Sequence, residues 1–383
     1  MNTINQTDIA IVGAGIVGLA HALAAAKRGF KVVVFERNPA AVGASIRNFG
    51  MIWPIGQPAG PLRDRALNSR EIWRTIAPQA NFHLDQAGSL HLAYREDEMA
   101  VIEEFVHERE QISDSVKLLS PKEVMEKSPA VIPDGLLGGL WSNTEMIVDP
   151  REAIGKIPNF LAKTYGVEFR FGTVVTEIEF PHLIVAGEKW LANEQIFVCS
   201  GSDFETLYPD RYAETNITKV KLQMMRTVPQ SDFRIQAALC GGLTLTHYAA
   251  FAQCPSLAAL KARIATQTPH FPQWGIHVMV SQNASGELII GDSHEYGLNP
   301  DPFDQANINQ YILDYLQTFV QVPNLEIAET WHGIYAKAAG ETELILHPQT
   351  GVTVVNALSG AGMTLSFGLA EEIVSTKLRS RVG

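Results

Sequence analysis

The chain has 383 residues, 46% of them hydrophobic, and a formal net charge of −11. That length exceeds what one core normally serves, so two lobes are expected. The acidic balance argues against a nucleic-acid partner, because phosphate binding begins with a basic surface.

Three cysteines, Cys199, Cys240 and Cys254, match no disulfide or zinc framework and suit a reducing cytoplasm. No metal site is expected. The opening MNTINQTD lacks the basic-then-apolar order of a signal peptide, and no apolar run approaches the roughly 18 residues of a membrane span. A cytoplasmic location without membrane insertion follows as the expectation.

Chemistry begins at DIAIVGAGIVGLAHALAAAKRGFKVVVFER, which predicts a strand from Asp8 to Val12, a glycine turn, an alanine-rich helix and a second strand from Lys31 to Phe35. Gly13, Gly15 and Gly18 form GxGxxG, Ile16 and Val17 open the helix, and Glu36 and Arg37 follow the second strand. In this strand–turn–helix–strand context the motif binds a dinucleotide. Gly13 permits the turn, Gly15 admits a pyrophosphate to the backbone, and Gly18 lets helix and sheet approach. Glu36 suits ribose hydroxyls and disfavours a 2′-phosphate, which leaves FAD and NAD. The next loop, NPAAVGASIRNFGMIWPIGQ, is rich in small residues and can lie close to a flat ligand.

At this loop the chain resembles the superfamily of D-amino-acid oxidase, glycine oxidase and sarcosine oxidase, and the resemblance extends over nearly the whole chain. It implies a discontinuous Rossmann-like FAD-binding domain (α/β) over residues 1–80, 140–212 and 326–383. It also implies an antiparallel-sheet substrate domain (α+β) over 81–139 and 213–325. Ser45, Asn48, Gly50 and Met51 would fill the loop that crosses the pyrophosphate, Val175 would meet adenine, and a strand would return to the main sheet at Ser200 and Gly201. SGAGMTLSFG matches the C-terminal flavin motif: Gly360, Gly362, Met363, Thr364 and Leu365 would lead a helix whose N-terminal amides face the flavin pyrimidine. In the sarcosine branch a cysteine two residues before a tyrosine ties FAD covalently. Its equivalent here is Gly333, so non-covalent FAD is expected.

The stretch WHGIYAKAAG departs from the amino-acid-oxidising relatives, in which an arginine clamps the substrate carboxylate as a bidentate pair. Tyr335 stands at that position, and Trp53 and Thr364 stand where the sarcosine branch places an arginine and a lysine. An ordinary α-amino acid is then a poor substrate, since an unpaired carboxylate in a dry pocket is costly. The superfamily's reaction is hydride transfer from a carbon beside an amine to flavin N5, and it depends mainly on positioning. Trp53, Tyr248 and Tyr335 are candidate aromatic walls, and His277 and Lys337 are candidate substrate residues. Arg226, His247, His294 and His332 complete the candidates for an anion site. EDEMAVIEEFVHEREQI, Glu96 to Ile112, reads as a solvated surface helix.

The histidine pattern with GDSHEY resembles the branch associated with aminophosphonate breakdown. It implies 2-aminoethylphosphonate or its N-methyl form as the small-molecule amine substrate, with an anionic tail, and phosphonoacetaldehyde as product. Another secondary amine or amino acid of the glycine or sarcosine type is the alternative substrate. A flavin subunit without turnover in a larger complex, or an NAD-dependent dehydrogenase, are alternatives of other kinds. Oxygen or another acceptor would reoxidise the flavin. By register Ile289 replaces a lysine found in the oxygen-reactive branch, which predicts slow reaction with oxygen.

Overall fold

In the first sheet the strand Asn5–Val12 lies between Glu188–Val198 and Val32–Glu36 and runs parallel to both. Glu168–Phe171 extends the parallel order beyond Val32–Glu36, and Val352–Asn356 extends it beyond Glu188–Val198. The antiparallel hairpin of Val175–Glu179 and His182–Val185 pairs with the beginning of Glu188–Val198. Covered on both faces, these strands can be apolar along their length; all five residues of VVVFE are buried. The structure, a computed structural model, describes residues 5–110, 115–356 and 358–381.

The helix Ile16–Lys27 buries every side chain from Leu19 to Ala26. Its alanines let it sit close to its neighbours, the helices Pro150–Tyr165 and Gly362–Lys377. Gly18 lets the same helix lie against the glycine turn and first strand, where a Cβ would lie 1.9 Å from the Gly13 carbonyl oxygen. Trp73, on Pro61–Ala80, is fully buried against the C-terminal helix. Its Nε1 donates to the Met363 carbonyl at 2.8 Å, and its ring meets Phe367 edge-on at 5.0 Å.

The second sheet is built around Ile217–Thr227, which pairs along its length with Ile327–Ala338. On its other side it meets Leu288–Gly291 and Glu295–Gly297, and the order continues through Met279–Gln282, Ala238–Cys240, Ser89–Ala93, Gly138–Ser142 and Val116–Leu119. All its pairings are antiparallel except Ser89–Ala93 beside Ala238–Cys240. The strand Ile327–Ala338, grouped by sequence with the dinucleotide-binding segments, pairs with the second sheet and brings residues 333–338 over the first.

Several elements differ from the sequence reading. His247 and Tyr248 sit between 3₁₀ turns at Gly242–Thr246 and Ala249–Phe251 rather than on a strand. The helix Glu96–Glu110 is not merely a solvated one, because Val101, Ile102, Phe105 and Val106 enter the second core; the two further residues assigned to it by sequence lie outside the described residues. Ile289 is buried in the second sheet opposite Arg226 and Ser281 and does not reach the cavity wall, so the register argument about oxygen does not hold. Among the described residues no helix is long and apolar enough to cross a membrane.

Trp73→Ala removes a filled volume and a buried hydrogen bond at the seat of the C-terminal helix. The expected loss is about 3–5 kcal/mol, read by denaturant unfolding; a loss below about 1 kcal/mol would show that the helix is seated by other contacts.

Candidate active site

The two sheets enclose an elongated cavity of about 750 Å³, within the range of small-molecule sites. At one end the first strand turns at Gly13, whose φ is +101° and where a Cβ would lie 2.3 Å from the Cys199 carbonyl oxygen. The helix after it starts at Gly15 without a side-chain cap. Ser45 fills part of that role from the next loop: its Oγ accepts from the Ile16 amide at 2.9 Å. Asn48 braces the same loop, donating to the Ala44 and Ser45 carbonyls at 2.9 and 3.0 Å.

Glu36 is buried beside this turn. One carboxylate oxygen accepts from the Ala14 amide at 3.0 Å and the other from the Asn38 amide at 3.0 Å. A carboxylate has lone pairs beyond these two bonds, and Glu36 lines the cavity. Arg37 pairs with Asp203. Val175, Ser200 and Gly201 complete this end.

In the middle of the cavity the C-terminal helix begins at Gly362, again with no side-chain cap, so its first amides are available to a ligand. Gly360 precedes it at φ +80°, and a Cβ there would lie 3.2 Å from the Tyr335 ring. Thr364 accepts from the Trp53 amide at 2.9 Å, which joins the flavin loop to this helix. Met51, Gly333, Met363 and Leu365 also line the wall.

The far end is a roof of rings. Trp53 and Tyr248 lie 6.5 Å apart, Tyr248 and His277 5.8 Å, and His247 stacks on His277 at 3.7 Å. His294, which does not itself line the wall, lies behind them at 4.8 Å from His247 and 6.4 Å from Tyr335. Lys337 lines the cavity beside them, its Nζ 3.4 Å from the Tyr296 hydroxyl. It makes no ion pair among the described residues.

Burial is the largest influence on the titration of this roof. It holds His247 and His277 well below the ordinary imidazole range and His294 at about 4, with the charge of Lys337 acting in the same direction. His247 lines the cavity and is exposed, whereas His277 and His294 are buried. Burial also raises the Tyr248 and Tyr335 phenols and pushes the Asp292 carboxyl far above its usual range. The backbones of His277 and Asp292 pair through two hydrogen bonds. The Asp292 Oδ1 lies 3.0 Å from His277 Nε2 without the alignment of a hydrogen bond.

The sequence-predicted residues converge on this cavity, with exceptions. Gly18 lies beneath it and serves helix packing. Gly50, expected on the loop facing the ligand, is instead turned against Val148, where a Cβ would fall 1.8 Å from the carbonyl oxygen. Arg226 is held by Glu287 and Glu329, and His332 by Asp304, and neither lines the wall. Arg47 was passed over: it lines the cavity and donates to the His332 carbonyl at 3.2 Å. An arginine amid the small residues of the flavin loop was the available signal. Asp292 was missed too, because a lone aspartate in GDSHEY carries no spacing. His247, His277 and His294 gather at one place, with one ring nitrogen of each within 4.8 Å of the others.

FAD fits these residues. The glycine turn and the uncapped helix start would hold its pyrophosphate, Glu36 would accept from its ribose, and the second uncapped helix would offer amides to its flavin pyrimidine. The fold resembles glycine oxidase from Geobacillus kaustophilus, with a TM-score of 0.78 at 20% identity over 97% of this chain and 94% of that one. L-proline dehydrogenase from P. horikoshii gives 0.76 at 20% identity over 99% and 96%. In sequence the chain is 25% identical to a D-amino acid dehydrogenase of Helicobacter pylori over 250 residues, 52% of this chain and 60% of that one. It thus spans about 60% of the length of that curated relative. Residues 8–376 match the family described as FAD dependent oxidoreductase, and the chain belongs to that family.

Proposed function

We propose that the protein oxidises an amine whose other end is an oxyanion, with 2-aminoethylphosphonate or its N-methyl form as substrate. The observation that carries this reading is Lys337, an ammonium without an ion-pair partner among the described residues, in a roof of imidazoles at the end of the cavity farthest from the dinucleotide cradle. By the resemblance, Trp53, Tyr335 and Thr364 stand in for the superfamily's carboxylate anchors, and the lining of the cavity by all three supports that reading. A tail with several oxygens suits dispersed donors better than a single carboxylate-shaped fork.

Bound FAD supplies the acceptor for the electron pair of the C–H bond beside nitrogen. The chain's residues do the positioning. Trp53, Tyr248 and Tyr335 form walls that fix the substrate carbon and exclude water, and Lys337 holds the tail. Loss of that electron pair with a proton from nitrogen leaves an imine, which water hydrolyses to phosphonoacetaldehyde and ammonia or methylamine. The three cysteines are free and buried, in keeping with a reducing compartment such as the cytoplasm.

A second reading, oxidation of an amino acid, draws support from Arg47 in the cavity wall and from the names of the relatives. The two readings separate at Lys337. Lys337→Ala is expected to weaken 2-aminoethylphosphonate about tenfold or more, measured as KM with an artificial acceptor, while the flavin-to-protein ratio stays unchanged. Unchanged KM, or lost flavin, removes Lys337 from the substrate site.

Glu36→Ala tests the cofactor end. Flavin retained through gel filtration should fall well below that of the parent protein, because charge-assisted bonds to the ribose are lost. Equal retention would contradict the role assigned to Glu36.

A further inference from the structure

We propose that His247, His277 and His294 form a binding site for one divalent cation of the zinc class in the roof of the cavity. One ligand nitrogen of each lies within 4.8 Å of those of the other two, and the site is empty here. Three imidazoles are a sufficient protein ligand set for a cation that keeps one position open. Bonds of about 2.0–2.1 Å place such nitrogens about 3.3 Å apart. Rotation of His247, the exposed member of the three, would close the set.

The surroundings prepare the rings for this role. The Nδ1 of His294 lies 2.9 Å from the Gly275 carbonyl oxygen and donates to it, which leaves Nε2 with a lone pair; a ring nitrogen bonded to a carbonyl is the usual way to fix a ligating tautomer. His277 is 3% exposed, and its Nδ1 has no hydrogen-bond partner. A buried polar nitrogen left unpaired calls for a ligand. On the opposite side of the same ring, Asp292 Oδ1 lies 3.0 Å from Nε2, near enough to accept from it after a small realignment. His277 would therefore ligate through Nδ1.

The open position faces the cavity, next to Lys337. If the substrate is an aminophosphonate, as proposed above, its oxygens reach the cation and Lys337 together. The cation and lysine together then offset the charge of a dianionic tail. The cation site itself rests only on the three rings and their neighbours.

The test uses the FAD-loaded protein, freed of metal with a chelator, given zinc, and passed through gel filtration without substrate. About one zinc per chain is expected by elemental mass spectrometry, falling to background in His247→Ala and in His294→Gln with flavin content unchanged. Cobalt(II) should give absorption bands to the red of the flavin that the same substitutions abolish. The proposal is overturned if the parent protein retains no zinc, or if either variant keeps it. Flavin bleaching by an aminophosphonate in metal-free protein that also retains no added zinc would sink the cation site and leave the substrate reading standing. Retained zinc with no bleaching by any aminophosphonate would do the reverse.

Discussion

The cavity depends on the pairing of Ile327–Ala338 with Ile217–Thr227, which runs the length of both strands. Strand pairing fixes the height of Ile327–Ala338 above the first sheet, and three close approaches then follow. A Cβ on Gly333 would come within 3.0 Å of the Arg47 carbonyl oxygen, Tyr335 covers the turn at Gly360, and Lys337 reaches the roof. A slip of one residue would exchange the two faces of the strand. It would direct Tyr335 and Lys337 away from the cavity and bring Ala336 and Ala338, or Ile334 and Ala336, to their places. Floor and roof are therefore set by one ladder of backbone hydrogen bonds rather than by loops.

The floor was legible in the sequence because its chemistry is local. Glycines, a helix start and an acidic residue at fixed spacing act through the backbone, and the structure places Gly13, Gly15, Glu36, Ser45 and Gly362 along one cavity. The roof was legible only as a composition. His247, His277 and His294 come from a 3₁₀ turn and two separate strand ends, so their meeting is a product of sheet order that no spacing encodes. Register by eye failed in the same region: Ile289 lies in the second core, and Arg226 and His332 are committed to acidic partners. Gly50 shows a different limit, since the same backbone freedom that suits a ligand loop here serves a close approach to Val148.

Burial sets the electrostatic character of the roof. Imidazoles that stay neutral near pH 7 do not repel Lys337, and they present lone pairs and N–H groups rather than fixed positive charge. Under the proposed function Lys337 would supply the cation. Such an arrangement would differ from a guanidinium clamp: it would offer a tetrahedral oxyanion several separate donors and leave Trp53, Tyr248 and Tyr335 to position the amine.

The central claim is that this cavity reduces its flavin with an amine bearing an oxyanion tail other than a carboxylate. The most direct measurement is the absorbance of the oxidised flavin in the purified protein during anaerobic addition of 2-aminoethylphosphonate, its N-methyl form, glycine and sarcosine. Bleaching by the phosphonates alone is the predicted result. Bleaching by glycine or sarcosine, with both phosphonates inert, would contradict it.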